Sequence, residues 1–426
     1  MFVALCTKTR DGHDFLAAAA AAGAVAALVA HPVESVDLPQ LVVADPLVAL
    51  QEIARLHRQG SGVKAIGISG SAGKTSTKDL LARLLGEAPA VLATEGNFNN
   101  HLGVPLTLTR LEPGVTRYAV VEAGINRPGE MRGLAAMIQP DCGLITLVAP
   151  AHLERLGSVD TIAQEKCELL RWLPAGGLAV LPWSVWQYAP FRHLSADACI
   201  AVPAGEEPEA RAERGQFVSF TVLHGAGQTE LVLRNGGHSR RFCLRRVSDG
   251  MAQNAVLALL LAAALGVDDA TLQQRLAGWA PARLRGELRQ IGAQQVYLDC
   301  YNANPPSMAD ALSVFQQLAP ASLPRLYVLG GMEELGADAA DYHRRLGATL
   351  HLRDGDLVYA VGPHAGAVAE GMLAAGNTRS HVRTPDTLDA IRGPLADFRG
   401  AVFVKGSRRF RLETLFADAT APAAAH

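Results

Sequence analysis

With 426 residues and 39 Lys and Arg against 41 Asp and Glu, for a formal net charge of -2, the chain is too long for one ordinary core and too balanced to present a basic field. At roughly 150 residues per domain, three units are expected, and nothing in the charge argues for nucleic acid or an anionic membrane surface as a partner. Six cysteines, at positions 6, 142, 167, 199, 243 and 300, show no Cys-x-x-Cys spacing, which speaks against a zinc site and against a secreted, disulfide-stapled fold and for a reducing cytoplasm.

Residues 1–60 read as a small α/β unit: a strand at Met1 to Leu5, an alanine-rich helix over Phe15 to Ala30 with Asp14 as its N-cap, and a strand at Leu41 to Val43. The apolar helix is too short and too alanine-rich for a membrane span, which needs about 20 strongly apolar residues. Asp11 and Asp14 stand where a secretory signal would be basic. A strand at residue 1 leaves a sheet edge without a preceding element to cover it. Arg55 to Gly62 then reads as a helix end and linker.

Val63 to Ile68 is apolar and β-branched enough for a buried strand, and Thr75 to Leu85 places Leu80, Leu81, Leu84 and Leu85 on a helical period. Between them Gly67-Ile-Ser-Gly-Ser-Ala-Gly-Lys-Thr75 reads as a phosphate cradle. Gly70 and Gly73 let the backbone of Ser71, Ala72 and Ser76 turn its N–H groups toward phosphate. Lys74 neutralises phosphate charge, and the Thr75 hydroxyl suits Mg²⁺. The strict spacing would put a glycine at Ile68, so the loop is a variant; ATP or GTP use is the reading it favours.

Further along, Val91 to Ala93 is a strand leading into Thr94-Glu-Gly-Asn-Phe-Asn-Asn-His-Leu-Gly-Val-Pro105, whose asparagines fit an Asx-turn loop. Tyr118 to Val121 delivers Glu122 to the carboxyl edge of a parallel sheet, the edge that also carries Thr75, where a carboxylate is a natural Mg²⁺ ligand. Gly143 to Val148 delivers His152 to that edge. The helix Thr161 to Trp172 carries Lys166 among apolar neighbours, where a lysine ordinarily snorkels to solvent. Gln216 to Val222, Thr229 to Arg234 and Ser239 to Val247 read as antiparallel strands, Glu206 to Arg214 as a solvated charged loop, and Asn254 to Leu265 as a long apolar helix. After a joint at Ala280 to Gly286 the pattern restarts, with strands at Val296 to Leu298, Leu326 to Leu329, Leu357 to Val361 and Ala401 to Val404 separated by helical stretches. That alternation implies a parallel, Rossmann-like sheet.

Several stretches in chain order carry a resemblance: Asp11-Gly-His-Asp-Phe15, the Ser-Gly-Ser-Ala-Gly-Lys-Thr loop, Gly96-Asn-Phe-Asn-Asn-His-Leu-Gly-Val-Pro105, and Ala151-His-Leu-Glu154 with Lys166-Cys-Glu168. Asp299-Cys-Tyr-Asn-Ala-Asn-Pro305, Met332-Glu-Glu-Leu-Gly336 with His343, and Val404-Lys-Gly-Ser-Arg408 complete the set. Together they resemble the Mur ligase family, and most closely its branch that adds D-alanyl-D-alanine to UDP-N-acetylmuramoyl-tripeptide.

The resemblance implies a three-domain α/β architecture: a truncated N-terminal α/β domain over 1–60 on the UDP-sugar side, a central P-loop ATPase domain over 61–282, and a C-terminal Rossmann-like ligase domain over 283–426. It implies ATP and Mg²⁺ as cofactors, an acyl-phosphate intermediate, a cytoplasmic monomer, and a role in peptidoglycan precursor synthesis. Residue by residue, it makes Lys74, Glu122, His152 and Lys166 catalytic, with Thr75 and Glu122 on the first Mg²⁺, His152 on the second, and Lys166 as a carbamylated metal ligand. It gives Asn254 to adenine, and Arg285, Asn302 and Asn304 to the nucleotide. Thr94, Asn97, Asn99, Asn100, Ser307, Lys405 and Ser407 fall to the substrates.

The departures are specific. The family's Ser/Thr-Asp-Ser-Arg stretch for uridine diphosphate lies before the point where this chain starts, so the N-terminal domain is expected to be incomplete. Ser248-Asp-Gly-Met-Ala-Gln-Asn254 keeps only the last asparagine of the family's Gly-x-His-Asn-x-x-Asn, Gly330-Gly-Met332 lacks the acid of Gly-Asp-Met, and Leu181-Pro-Trp183 replaces Asn-Ala-Asp. Two other readings stand beside the leading one: a Mur-like amide ligase for a carboxylate without a UDP handle, and a non-catalytic nucleotide-binding regulatory protein.

Overall fold

The computed structural model describes residues 1–206 and 215–416, so all but the first residue of the expected Glu206 to Arg214 loop lies outside the described residues. Three sheets carry the fold. The first is parallel, formed by β1 (Phe2–Val3), β2 (Ala27–Val29) and β3 (Gln40–Val42) in that spatial order.

The long alanine-rich helix is the main correction to the sequence reading. A 3-10 turn over Gly12–Phe15 leads into a helix of only Leu16–Ala21, and the remainder turns back to become β2. Uniformly apolar sequence has no period to separate helix from strand. Gly23, at φ +91°, supplies the left-handed turn that ends the helix. All three β2 residues are buried, with Ala27 N–H donating to Pro39 O at 2.8 Å and Phe2 N–H to Ala26 O at 2.8 Å. Nor does Asp14 cap the helix. The helix has no side-chain cap at its N-cap residue, Phe15, and it is the preceding 3-10 turn that is capped, by Asp11, whose carboxylate accepts from His13 N–H at 2.9 Å.

The second sheet contains β4 (Lys64–Ser69), β5 (Val91–Ala93), β6 (Tyr118–Glu122), β7 (Cys142–Ile145), β8 (Leu178–Pro182), β9 (Asp197–Pro203), β10 (Gly215–His224), β11 (Gln228–Asn235) and β12 (His238–Arg245). Their order is β12-β11-β10-β9-β8-β7-β4-β6-β5, parallel from β5 through β10, with the pairs β10–β11 and β11–β12 antiparallel as expected. Helices cover both faces. Glu130–Ile138 and Val159–Arg171 pack on one, and Lys74–Leu85 and Asp249–Ala264 on the other. The last of these is buried almost all round, as a helix apolar on every face must be. Gly67 in β4 leaves room for Leu169, whose Cδ1 would stand 3.0 Å from a Cβ there.

β7 stops three residues short of the expected strand. From Thr146 the chain leaves the sheet to brace the glycine-rich loop: Thr146 Oγ1 donates to Ala72 O at 2.5 Å, and Ser71 N–H to Leu147 O at 2.8 Å.

The third sheet comprises β13 (Glu287–Ile291), β14 (Gln294–Asp299), β15 (Arg325–Gly330), β16 (Leu357–Val361), β17 (Val382–Arg383) and β18 (Ala401–Lys405), ordered β13-β14-β18-β15-β16-β17. Only the edge strand β13 is antiparallel. An aromatic group seals one face, with the Phe403 ring centre 5.8 Å from that of Tyr297 and 5.3 Å from that of Phe315. Among the described residues, no helix is long and apolar enough to cross a membrane.

Candidate active site

The carboxyl ends of β4, β6 and β7 converge beside those of β14 and β18, where a parallel fold leaves its crevice. A cavity of about 360 Å³ opens there, walled by Ser71 to Ser76 on one side and by Asp299, Asn302, Asn304 and Lys405 on the other. The glycine-rich loop is tightly specified. Gly70, at φ +154°, would put a Cβ 1.8 Å from Thr146 Oγ1, and Gly73, at φ +77°, one 2.3 Å from Asn254 Nδ2. Gly73 is the N-cap of the Lys74–Leu85 helix, so the helix's free N–H groups and positive end face the cavity.

Lys74 Nζ donates to Gly70 O at 2.8 Å and therefore stands over the loop. Burial pushes its ammonium below the ordinary lysine range; Glu122 opposes that shift, and Arg285 adds to it. Glu122 is buried, and its Oε1 accepts from Asn99 Nδ2 at 2.8 Å. Its Oε2 has no hydrogen-bond partner among the described residues. A buried carboxylate oxygen left unpaired is costly, and on the wall of the cavity that Thr75 also lines it fits a hard divalent cation.

The far wall reaches across to this group. Arg285 donates to Thr75 Oγ1 at 3.1 Å and stacks over Tyr301 at 4.1 Å from the ring centre. Asn304 Nδ2 donates to Ser71 O at 3.0 Å, while its Oδ1 and Ser307 form a capping box for the Pro305–Leu318 helix. Lys405 is buried and donates to Asp299 Oδ2 at 2.6 Å and Asn302 O at 3.1 Å. Thus Asn254, Arg285, Asn302, Asn304, Ser307 and Lys405 all line the same cavity as Lys74, Thr75 and Glu122, as do Asn97 and Asn99.

Other expected site residues lie behind or beside that wall. Thr94 is buried, its hydroxyl accepting from Glu122 N–H at 3.0 Å and its carbonyl from Lys78 Nζ at 2.6 Å, so it holds the strand end. Asn100 accepts from Gly103 N–H at 2.9 Å and starts the Gly103–Leu108 helix. Ser407 accepts from Glu333 N–H at 3.2 Å and joins two loops of the third sheet. Lys166 does not snorkel. It is buried, and burial together with the Lys74 charge drives its ammonium well below the ordinary range against the pull of Glu165. His152 is not among the residues lining that cavity; its Nδ1 lies against the Glu334 carboxylate from the loop after β15.

Five residues are given no role by the sequence reading: Thr146, Arg246 and Asp310, and Tyr301 and Glu334, which it quotes only as parts of motifs. Thr146 falls inside the expected strand Gly143 to Val148, and only the earlier end of β7, at Ile145, makes it a strand-end residue. Arg246 lies inside the expected strand Ser239 to Val247, whose antiparallel pairing gives no reason to set its end at the cavity. The cluster Cys6, Asp11 and His13 has the composition of a metal site. However, His13 Nε2 accepts from Ala30 N–H at 3.0 Å, which puts the proton on Nδ1 and points it at Asp11, 2.6 Å away. The group is a brace for the first sheet.

Comparison with known proteins agrees with this geometry. Residues 68–262 match the Mur ligase middle domain and residues 284–408 the Mur ligase glutamate ligase domain. The UDP-N-acetylmuramoyl-tripeptide--D-alanyl-D-alanine ligases of Haemophilus influenzae and Escherichia coli are 32% and 33% identical, each alignment covering 97% of this chain and 89% of the relative. The crystal structure of MurF from Acinetobacter baumannii superposes with a TM-score of 0.85 at 30% identity, over 98% of this chain and 90% of that one. Sequence similarity along nearly the whole length, with the site residues gathered at one cleft, establishes that the chain belongs to the Mur ligase family.

Proposed function

We propose that this ligase uses ATP to join D-alanyl-D-alanine to UDP-N-acetylmuramoyl-tripeptide in cytoplasmic peptidoglycan precursor synthesis, acting as a monomer. The terminal carboxylate of the tripeptide takes the γ-phosphoryl group, ADP leaves, and the dipeptide amine displaces phosphate to form the amide. The observation that carries the reading is the single cleft in which Lys74, Thr75 and Glu122 face Arg285, Asn302, Asn304 and Lys405 from a different sheet.

Each residue's task follows from its chemistry. The N–H groups of the Gly70 to Ser76 loop and Lys74 hold and neutralise the phosphates, and Asn254 reads the base. Arg285 bridges the nucleotide side and the C-terminal wall, so its engagement depends on the two sheets being together. Mg²⁺ held by Thr75 and Glu122 would supply positive charge where carboxylate and phosphate approach, the largest electrostatic obstacle in the reaction. Burial holds Lys166 toward the neutral amine, the form that takes up CO₂; this supports its reading as a carbamate that joins His152 at a second cation. On this reading Asn97, Asn99, Ser307 and Lys405 orient substrate, which their position on the cavity wall supports, and closure of the cleft excludes water from the acyl phosphate.

We assign residues 1–60 to a domain on the UDP-sugar side, 61–282 to a P-loop ATP-binding domain and 283–426 to a Rossmann-like ligase domain. In support, β1–β3, β4–β12 and β13–β18 each fall wholly within one range. The test is phosphate release from ATP and Mg²⁺ with UDP-N-acetylmuramoyl-tripeptide, with and without D-alanyl-D-alanine, followed by mass spectrometry. A pentapeptide product is expected; nucleotide binding without pentapeptide would overturn the substrate assignment.

A further inference from the structure

His152 and Glu334 are two of only five non-glycine residues at positive φ among the described residues, at +54° and +62°, and their side chains touch each other. A side chain at positive φ is strained, and such strain persists where surrounding structure over-determines it, commonly at functional positions. One of these residues follows β7 and the other follows β15, so the contact joins the second sheet to the third. The backbones meet as well. Glu154 N–H donates to Glu334 O at 3.3 Å, and a Cβ on Gly336 would lie 3.4 Å from Glu154 Cα.

The loop presenting Glu334 is anchored within its own sheet. Met332 N–H donates to His343 Nε2 at 2.9 Å, Glu333 N–H to Ser407 Oγ at 3.2 Å, and Ser407 N–H to Gly331 O at 3.0 Å. The neighbouring carboxylate of Glu333 is engaged by Arg409 at 3.2 Å. Glu334 is therefore the acid that the loop aims at His152.

We propose that Glu334 is a positioning residue for His152: its carboxylate accepts the Nδ1 proton, fixing the tautomer that leaves the Nε2 lone pair free for a divalent cation. An imidazole ligand needs its other nitrogen held in this way to stay in one tautomer and one orientation. Because Glu334 comes from the C-terminal sheet, the His152 half of the cation site is complete only when the two loops are in contact. The arrangement couples closure of the cleft to cation binding, and it rests on the reading of His152 as a cation ligand.

The experiment is a Mn²⁺ titration followed by electron paramagnetic resonance, with a non-hydrolysable ATP analogue and UDP-N-acetylmuramoyl-tripeptide present, so that the readout is cation occupancy and not turnover. The wild type is expected to bind two Mn²⁺ ions and His152→Ala one. Glu334→Gly removes the carboxylate while suiting the left-handed backbone, and should weaken the second ion by roughly 10- to 100-fold and leave the first unchanged. Glu334→Gln, whose amide oxygen can still accept from Nδ1–H, should recover most of that loss. A Glu334→Gly titration matching the wild type, or a Glu334→Gln variant as weak as Glu334→Gly, overturns the inference while leaving His152 as a ligand. If His152→Ala also binds two ions with wild-type affinity, the cation role of His152 and the positioning role of Glu334 fall together.

Discussion

Gly73→Ala tests the loop most directly, because two separable effects meet at that residue. The left-handed backbone, φ +77°, costs an alanine about 1–2 kcal/mol. The added Cβ also falls 2.3 Å from Asn254 Nδ2, far inside contact distance, and forces that side chain off the cavity wall. One hydrogen bond from Asn254 to the base, on the proposed assignment, would be worth about 1 kcal/mol, or roughly fivefold in affinity. Gly23→Ala is the control: its φ is +91°, but nothing lies within 4 Å of the new Cβ, so it should lose stability alone. Calorimetric titration with an ATP analogue, alongside urea unfolding, separates the two terms. In the Asn254→Ala background, Gly73→Ala should cost stability but no further affinity, because the clash and the lost contact involve the same side chain. Wild-type nucleotide affinity for Gly73→Ala, or fully additive losses in the double variant, would refute the reasoning.

Lys74→Ala should abolish phosphate release at an unchanged melting midpoint, since its amine faces the loop and anchors no core; residual turnover near wild type would remove Lys74 from the mechanism. His343 is buried with its pKa lowered, chiefly by burial, and Nε2 must stay unprotonated to accept from Met332 N–H. Its folded pKa lies below its unfolded one, so its contribution is present above about pH 6.5 and lost as pH falls through the folded value. Urea midpoints at pH 5.5 and 8 should differ less for His343→Ala than for the wild type. Phe403→Ala opens the aromatic group between β14 and β15 and should destabilise the C-terminal sheet by about 3–5 kcal/mol in urea, whereas a cost under about 1 kcal/mol would mean the sheet repacks.

Much of this was written in the order of residues. The glycine-rich turn between an apolar strand and a leucine-periodic helix fixed β4, its loop and the Lys74–Leu85 helix nearly to the residue. The strand-end positions of Glu122 and Asp299 followed from apolar runs of strand length. Local order failed where composition was uniform, as in the alanine-rich stretch that splits into helix and β2, because without a period only the hydrogen-bonding partners on either side decide. Short edge strands such as β13 and β17 left no signal, for they exist only by pairing with a neighbour already in place.

The site divides along the same line. Residue type and spacing alone determined that Lys74, Thr75 and Glu122 would share one sheet edge, because parallel strands point their carboxyl ends the same way. Tertiary structure alone decided that Arg285 reaches Thr75, that Asn304 reaches Ser71 across 233 residues of chain, and that His152 meets Glu334. Those contacts join separate sheets, and their geometry is set by how the sheets pack, a relation that no local pattern of apolar and polar residues encodes.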